Sequence, residues 1–155
     1  MIKNSIRSIV AAIGIIAIAA GCGDGPERHE AARAIEHVAD AIDMYDAKGL
    51  ADTIAYYDDP ASIDGEFYVV IIDADDVILT HPFRPELTGT SADASVTDDG
   101  TPVRDAIRSS VVSGSPAWVS YTFVNPANDE VERKHVWVVP HDSYLFVSGY
   151  YEPLP

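Results

Sequence analysis

Apolar positions recur at three- and four-residue steps through "PERHEAARAIEHVADAIDMYDAKG", where Ile35, Val38, Ile42 and Tyr45 fall on one side. This is the period of a helix with a single apolar stripe. Pro26 suits the first helical position, Glu27 and Glu30 suit the positive end of the helix dipole, and Gly49 ends the run. A shorter helix is predicted in "LADTIAYYDD", with Leu50, Ile54 and Tyr57 on one side. The long stripe is too short for sustained heptads, so it is expected to pack on the domain's own sheet.

From Phe67 the period becomes that of strands. "FYVVIID" is nearly all apolar, "DADD" has turn chemistry and "VILTH" returns, which predicts a hairpin-like pair. A loop from Pro82 to Gly100 is rich in Pro, Gly, Ser, Thr and Asp. A helix then opens at Thr101 and Pro102, with Val103, Ile107 and Val111 spaced by four. The last third reads as a meander of three strands, "AWVSYTFV", "VERKHVWVV" and "SYLFVSGYY", joined by "NPANDE" and "PHD". Alternation puts Trp118, Ser120 and Thr122 on one face of the first of these, and Val119, Tyr121 and Phe123 on the other.

Composition narrows the class. The 155 residues are 47% apolar, which fits one globular domain with one core. The formal charge of −15 repels nucleic acid and anionic membrane surfaces on average, so neither is an expected partner through charge.

The first residues stand apart. "MIKNSIRS" carries Lys3 and Arg7 and no acid, "IVAAIGIIAIAA" is an unbroken small and aliphatic run, and "AAGC" leads into the only cysteine. That is the architecture of a signal peptide over residues 1–21. The apolar run is shorter than the ~20 residues needed to span a bilayer. Ala20, Gly21 and Cys22 resemble the bacterial lipobox, although Ala19 stands where leucine is more usual. The resemblance implies that Cys22 is lipidated and begins a short tether, residues 22–25, attached to a membrane. A single thiol in an exported chain fits that assignment.

Candidate chemistry is sparse. His81 ends "VILTH" just before Pro82, which cannot donate to a sheet ladder and holds the preceding residue extended. From the residues alone it is a turn histidine or a ligand contact. His29, His37, His81, His135 and His141 lie in different elements without ligand spacing, so no zinc site is expected. Asp73, Asp75 and Asp76 lack the glycine and closing glutamate of a calcium loop and read as a turn. No Gly-x-Ser-x-Gly elbow occurs, so neither an enzyme nor a cofactor is expected.

The order of helix, two strands, loop, short helix and three-strand meander is that of a PAS-like α+β domain, with a long N-terminal helix on an antiparallel sheet of about five strands. "YYDDPASIDGEFYVVIIDADDVILTHPFRPELTGT" together with "GSPAWVSYTFVNPANDEVERKHVWVVPHDSYLFVSGYYE" resembles the single Cache family, the extracytoplasmic sensor module of chemoreceptors, histidine kinases and nucleotide cyclases. The likeness covers roughly residues 26–152, leaving 153–155 as a tail. It rests on the aromatic strand before an acidic turn, the His-Pro, the "PELTG" loop, the Trp and Tyr of one strand, the Lys of the next and the terminal "SGYY".

The resemblance implies a pocket for a small organic ligand such as a short carboxylate. His81, Tyr121 and Lys134 correspond to its polar positions, with Tyr68 and Trp118 as aromatic walls. Lysine, tyrosine and histidine donors in a mostly apolar cavity suit a carboxylate. Read as residues alone, Lys134 is equally a solvated strand lysine and Trp118 a core residue. Val70 and Ile72 stand where many relatives carry an aromatic and a polar residue, which leaves the ligand class open.

Family receptors continue into a second membrane helix and a signalling domain, whereas this sequence stops five residues after Tyr150. A free-standing sensor lipoprotein working with a membrane receptor or kinase is therefore expected. The alternative is a non-ligand-binding envelope interaction module that regulates another membrane or envelope protein through its helix or sheet surface, a reading that an apolar-filled interior with an exposed helical stripe would favour.

Overall fold

The structure, a computed structural model, describes residues 26–91, 97 and 100–155, with side chains from His29 onward. Cys22, the signal segment and residues 92–96, 98 and 99 lie outside the described residues. The first helix, α1 (Pro26–Lys48), and the second, α2 (Leu50–Tyr57), meet at Gly49. Its φ of 83° is a conformation that side chains disfavour, and its N–H closes on the Tyr45 carbonyl at 2.8 Å. The buried face of α1 runs through Ala34, Val38 and Ala41, with Ile42 and Tyr45 partly buried. Ile35, placed on the stripe from sequence, is 42% exposed. Two alanines take the inward positions, which lets the helix lie close to the sheet.

Among the described residues four strands form one antiparallel sheet: β1 (Val70–Ile72), β2 (Ala117–Val124), β3 (Val131–His141) and β4 (Tyr144–Pro153), in the order β1-β4-β3-β2. The expected fifth strand, "VILTH", is not a ladder strand. Leu79 N–H does reach the Ile71 carbonyl at 2.7 Å, but the return bond from Ile71 N–H goes to the Thr80 hydroxyl at 2.9 Å. Thr80 Oγ1 also donates to the Val69 carbonyl at 3.1 Å. A side chain has taken the ladder's place, so pairing stops after the Ile72–Ile78 bridge. His81 consequently follows an irregular segment rather than ending a strand.

The sheet is covered on both faces. On one, α1 packs against β3 and β4 over Val38, Ala41, Val69, Ile71 and Phe146. On the other, a third helix, α3 (Val103–Ser110), brings Val103 and Ile107, with Val111 just beyond it, against Tyr121, Val136, Val138 and Val147. Arg108 anchors this helix by bonding Asp76 and the Asp73 carbonyl in the acidic turn. Between β3 and β4 the backbones approach so closely at Gly149 that a Cβ would lie 2.2 Å from the His135 carbonyl oxygen.

Candidate functional site

Register brings the first two site residues together. Tyr121 on β2 pairs directly with Lys134 on β3, and Lys134 pairs with Tyr151 on β4, so three strands deliver these side chains to one face. The segment after β1 adds Ile78, His81 and Leu87, and α3 adds Val103 and Ile107. With Val70, Ile72, Ser91, Phe123 and Val147 they enclose a cavity of about 80 Å³. That is well above the ~10–15 Å³ one water requires and well below the ~300–1,000 Å³ of sites for drug-sized molecules. It admits a ligand of a few heavy atoms. The lining is apolar apart from Lys134, Tyr121, His81 and Ser91.

Lys134 is 5% exposed. Its Nζ donates to the Tyr68 hydroxyl at 2.7 Å and sits 4.6 Å from the Tyr68 ring centroid, 5.1 Å from that of Tyr151 and 5.4 Å from that of Phe123. The rings of Tyr151 and Phe123 and the Tyr68 hydroxyl oxygen around the ammonium favour its charge. Burial works against that charge, but the oxygens of Tyr151, Tyr68 and Tyr121 and the bond to Tyr68 outweigh it, holding the pKa well above the usual lysine value. Among the described residues no carboxylate lies within ion-pairing distance of Nζ. Among the described residues the cavity thus contains a buried cation with no anion beside it.

His81 is 5% exposed, and burial followed by the nearby Lys134 ammonium pushes its pKa down to about 3. It is neutral at physiological pH, not a cation. Arg84 N–H donates to His81 Nδ1 at 3.1 Å, which puts the ring proton on Nε2. Among the described residues neither Nε2 nor the Tyr121 hydroxyl has a hydrogen-bond partner. Burial raises the Tyr121 pKa, the Lys134 charge opposing it, so the phenol keeps its proton. The site therefore offers one ammonium and two neutral donors.

The two aromatic residues expected as walls stand elsewhere. Tyr68 lies behind Lys134, its hydroxyl 3.2 Å from that of Tyr151, and supports the ammonium instead of lining the cavity. Trp118 is on the opposite face of the sheet and 39% exposed, packed on Trp137 and Tyr150 at ring separations of 5.2 and 5.9 Å. Parity is the reason: Trp118 and Tyr121 are three residues apart on one strand and cannot share a face. The aromatic positions that do frame the lysine are Phe123, two residues from Tyr121, and Tyr151, which "SGYY" supplies opposite it. Counting in twos from Tyr121 identifies Phe123. Tyr151 requires the β3–β4 register.

Among the described residues no group of three or more His, Cys, Asp or Glu is arranged to hold a metal, and no helix is long and apolar enough to cross a membrane.

Three solved structures share the fold. A Cache chemosensory domain described for carboxylic acid recognition is 20% identical, with a TM-score of 0.59 over 80% of this chain and 89% of its own. A methyl-accepting chemotaxis protein from Vibrio parahaemolyticus RIMD 2210633 is 17% identical, with a TM-score of 0.61 over 81% of this chain and 87% of its own. A periplasmic sensor domain of a chemotaxis protein is 17% identical, with a TM-score of 0.60 over 80% and 91%. No curated protein matches the chain in sequence. The family model described as Single Cache domain 2 matches residues 27–152.

Proposed function

The chain belongs to the single Cache domain family, and on that premise we propose that it is an extracytoplasmic sensor module that captures a small monocarboxylate between Lys134, Tyr121 and His81. The observation that carries this reading is the Lys134 ammonium, buried at a cavity and without a carboxylate partner among the described residues. A buried unpaired charge is costly, and an incoming anion relieves that cost with a charge-assisted bond. Tyr121 and the Nε2–H of His81 supply the two further donors that a carboxylate's lone pairs accept. The small apolar remainder of the cavity suits a short aliphatic tail. One structural neighbour is described for carboxylic acid recognition, which supports the same ligand class. The alternative interaction module calls for an apolar-filled interior, which a cavity lined by Lys134, Tyr121, His81 and Ser91 does not favour.

Ligand capture needs no chemical step here. The signal would pass to a membrane receptor or kinase, with the domain, residues 26–152, held at the membrane by lipid on Cys22 after removal of residues 1–21. Two acyl chains at ~0.8 kcal/mol per buried methylene give stable anchoring. Replacing Cys22 with alanine should release the protein from the membrane fraction, whereas retention resistant to alkaline extraction would contradict lipidation.

Calorimetric titration with formate, acetate, propionate and butyrate tests the ligand class, with methylamine and ethanol as controls. Binding confined to the acids supports the reading. Binding of ethanol as tight as that of acetate, or of none of the acids, would refute it.

A further inference from the structure

His81 faces the cavity, yet what holds it there lies outside. We propose that Asp58 is the positioning residue of this site: one of its carboxylate oxygens fixes both ends of the loop that presents His81 and Leu87 to the ligand. The proposal rests on the carboxylate-binding reading only for its effect on affinity.

Asp58 caps the C-terminus of α2, its own N–H bonded to the Ile54 carbonyl at 2.9 Å. Its Oδ1 accepts from His81 N–H at 3.0 Å and from the Thr88 hydroxyl at 3.0 Å. These donors are seven residues apart and bracket the 3-10 turn Pro85–Leu87. One helix-borne atom therefore closes the whole loop. Inside the loop, Arg84 N–H lies 3.0 Å from the His81 carbonyl and 3.1 Å from His81 Nδ1. That contact selects the tautomer whose proton is on Nε2, the nitrogen left for a ligand oxygen. It depends on the backbone of residue 81 being fixed relative to residue 84, and the bond to Asp58 fixes it.

Without the carboxylate, His81 N–H becomes a buried donor with no partner, at a cost comparable to a lost hydrogen bond. The loop then gains alternatives in which the imidazole leaves the cavity. An amide oxygen would serve as well as a carboxylate oxygen, because each donor needs only an acceptor there. This separates positioning from any effect of the charge.

The test uses Asp58→Ala, Asp58→Asn and Thr88→Val in the full chain, with two readouts. One is affinity for acetate and propionate; the other is the His81 tautomer in long-range proton–nitrogen NMR spectra recorded without ligand. Asp58→Ala should weaken binding about tenfold or more and turn a single Nε2–H tautomer into a mixture. Asp58→Asn should retain both near wild type, and Thr88→Val should fall between. A single tautomer in Asp58→Ala, or Asp58→Asn as impaired as Asp58→Ala, overturns the proposal. If Asp58→Ala does not fold, wild-type behaviour in Thr88→Val overturns it instead. If neither acid binds the wild type, the ligand reading fails on its own, and the tautomer spectra still decide the role of Asp58.

Discussion

The Lys134 ammonium donates to the Tyr68 hydroxyl, and the Tyr68 oxygen lies 3.2 Å from that of Tyr151, so the lysine is backed by two phenols that also pair with each other. Removing the charge therefore orphans neither phenol. Lys134→Met, of similar length and apolar, should leave unfolding free energy within ~1 kcal/mol of wild type or above it, measured by urea denaturation without ligand. A loss of ~3 kcal/mol or more would make Lys134 a structural group rather than a ligand contact.

His81 gives a pH signature. Its folded pKa, about 3, is below the ordinary 6.5, so between those values the unfolded chain binds the extra proton. Stability from this group is complete above pH 6.5 and is lost as pH falls toward 3, with a slope of up to ~1.4 kcal/mol per unit. The window from pH 6.5 to 5 is cleanest, because most carboxylates titrate below it. His81→Asn should reduce the slope there, leaving the share of His37, whose pKa burial also lowers. An unchanged slope would show that His81 titrates normally and is solvated.

Gly149→Ala should destabilise by ~1–3 kcal/mol or more, read by chemical denaturation, because the added Cβ meets a backbone oxygen that cannot turn aside. Neutral behaviour would mean that β3 and β4 are further apart.

Trp118→Ala should leave ligand affinity unchanged, since the ring lies across the sheet from the cavity. A tenfold loss in titration would place the ligand on the wrong face.

The same residue marks how far sequence reaches. The β2 span was legible in full because "AWVSYTFV" alternates between turn signals, and parity already separated Trp118 from Tyr121. Resemblance nevertheless grouped them, and the pleat overrode it. The long helix was legible from its period, but not that Ala34 and Ala41 would take the inward positions beside Val38, since small residues are chosen by the distance to the sheet. "VILTH" has strand composition, and nothing local reveals that the Thr80 hydroxyl replaces a ladder bond. The pairing of Lys134 with Tyr121 and Tyr151 depends on register across two turns. Leu87, Val103 and Ile107 reach the cavity only through tertiary packing.

The cavity wall sets ligand size. Ile107→Val removes one methylene from the lining at a stability cost of ~0.5–1.5 kcal/mol. Room for one further carbon should raise the propionate-to-acetate affinity ratio about fourfold, at ~0.8 kcal/mol per buried methylene. An unchanged ratio would place the aliphatic tail away from α3.

The most direct test compares unfolding free energy with and without the tighter-binding of acetate and propionate, in wild type and in Lys134→Met. At about a hundred times the dissociation constant the wild type should gain ~2.7 kcal/mol, and Lys134→Met, at the same ligand concentration, should gain nothing measurable. Equal stabilisation of both proteins would contradict a carboxylate site built on the buried lysine.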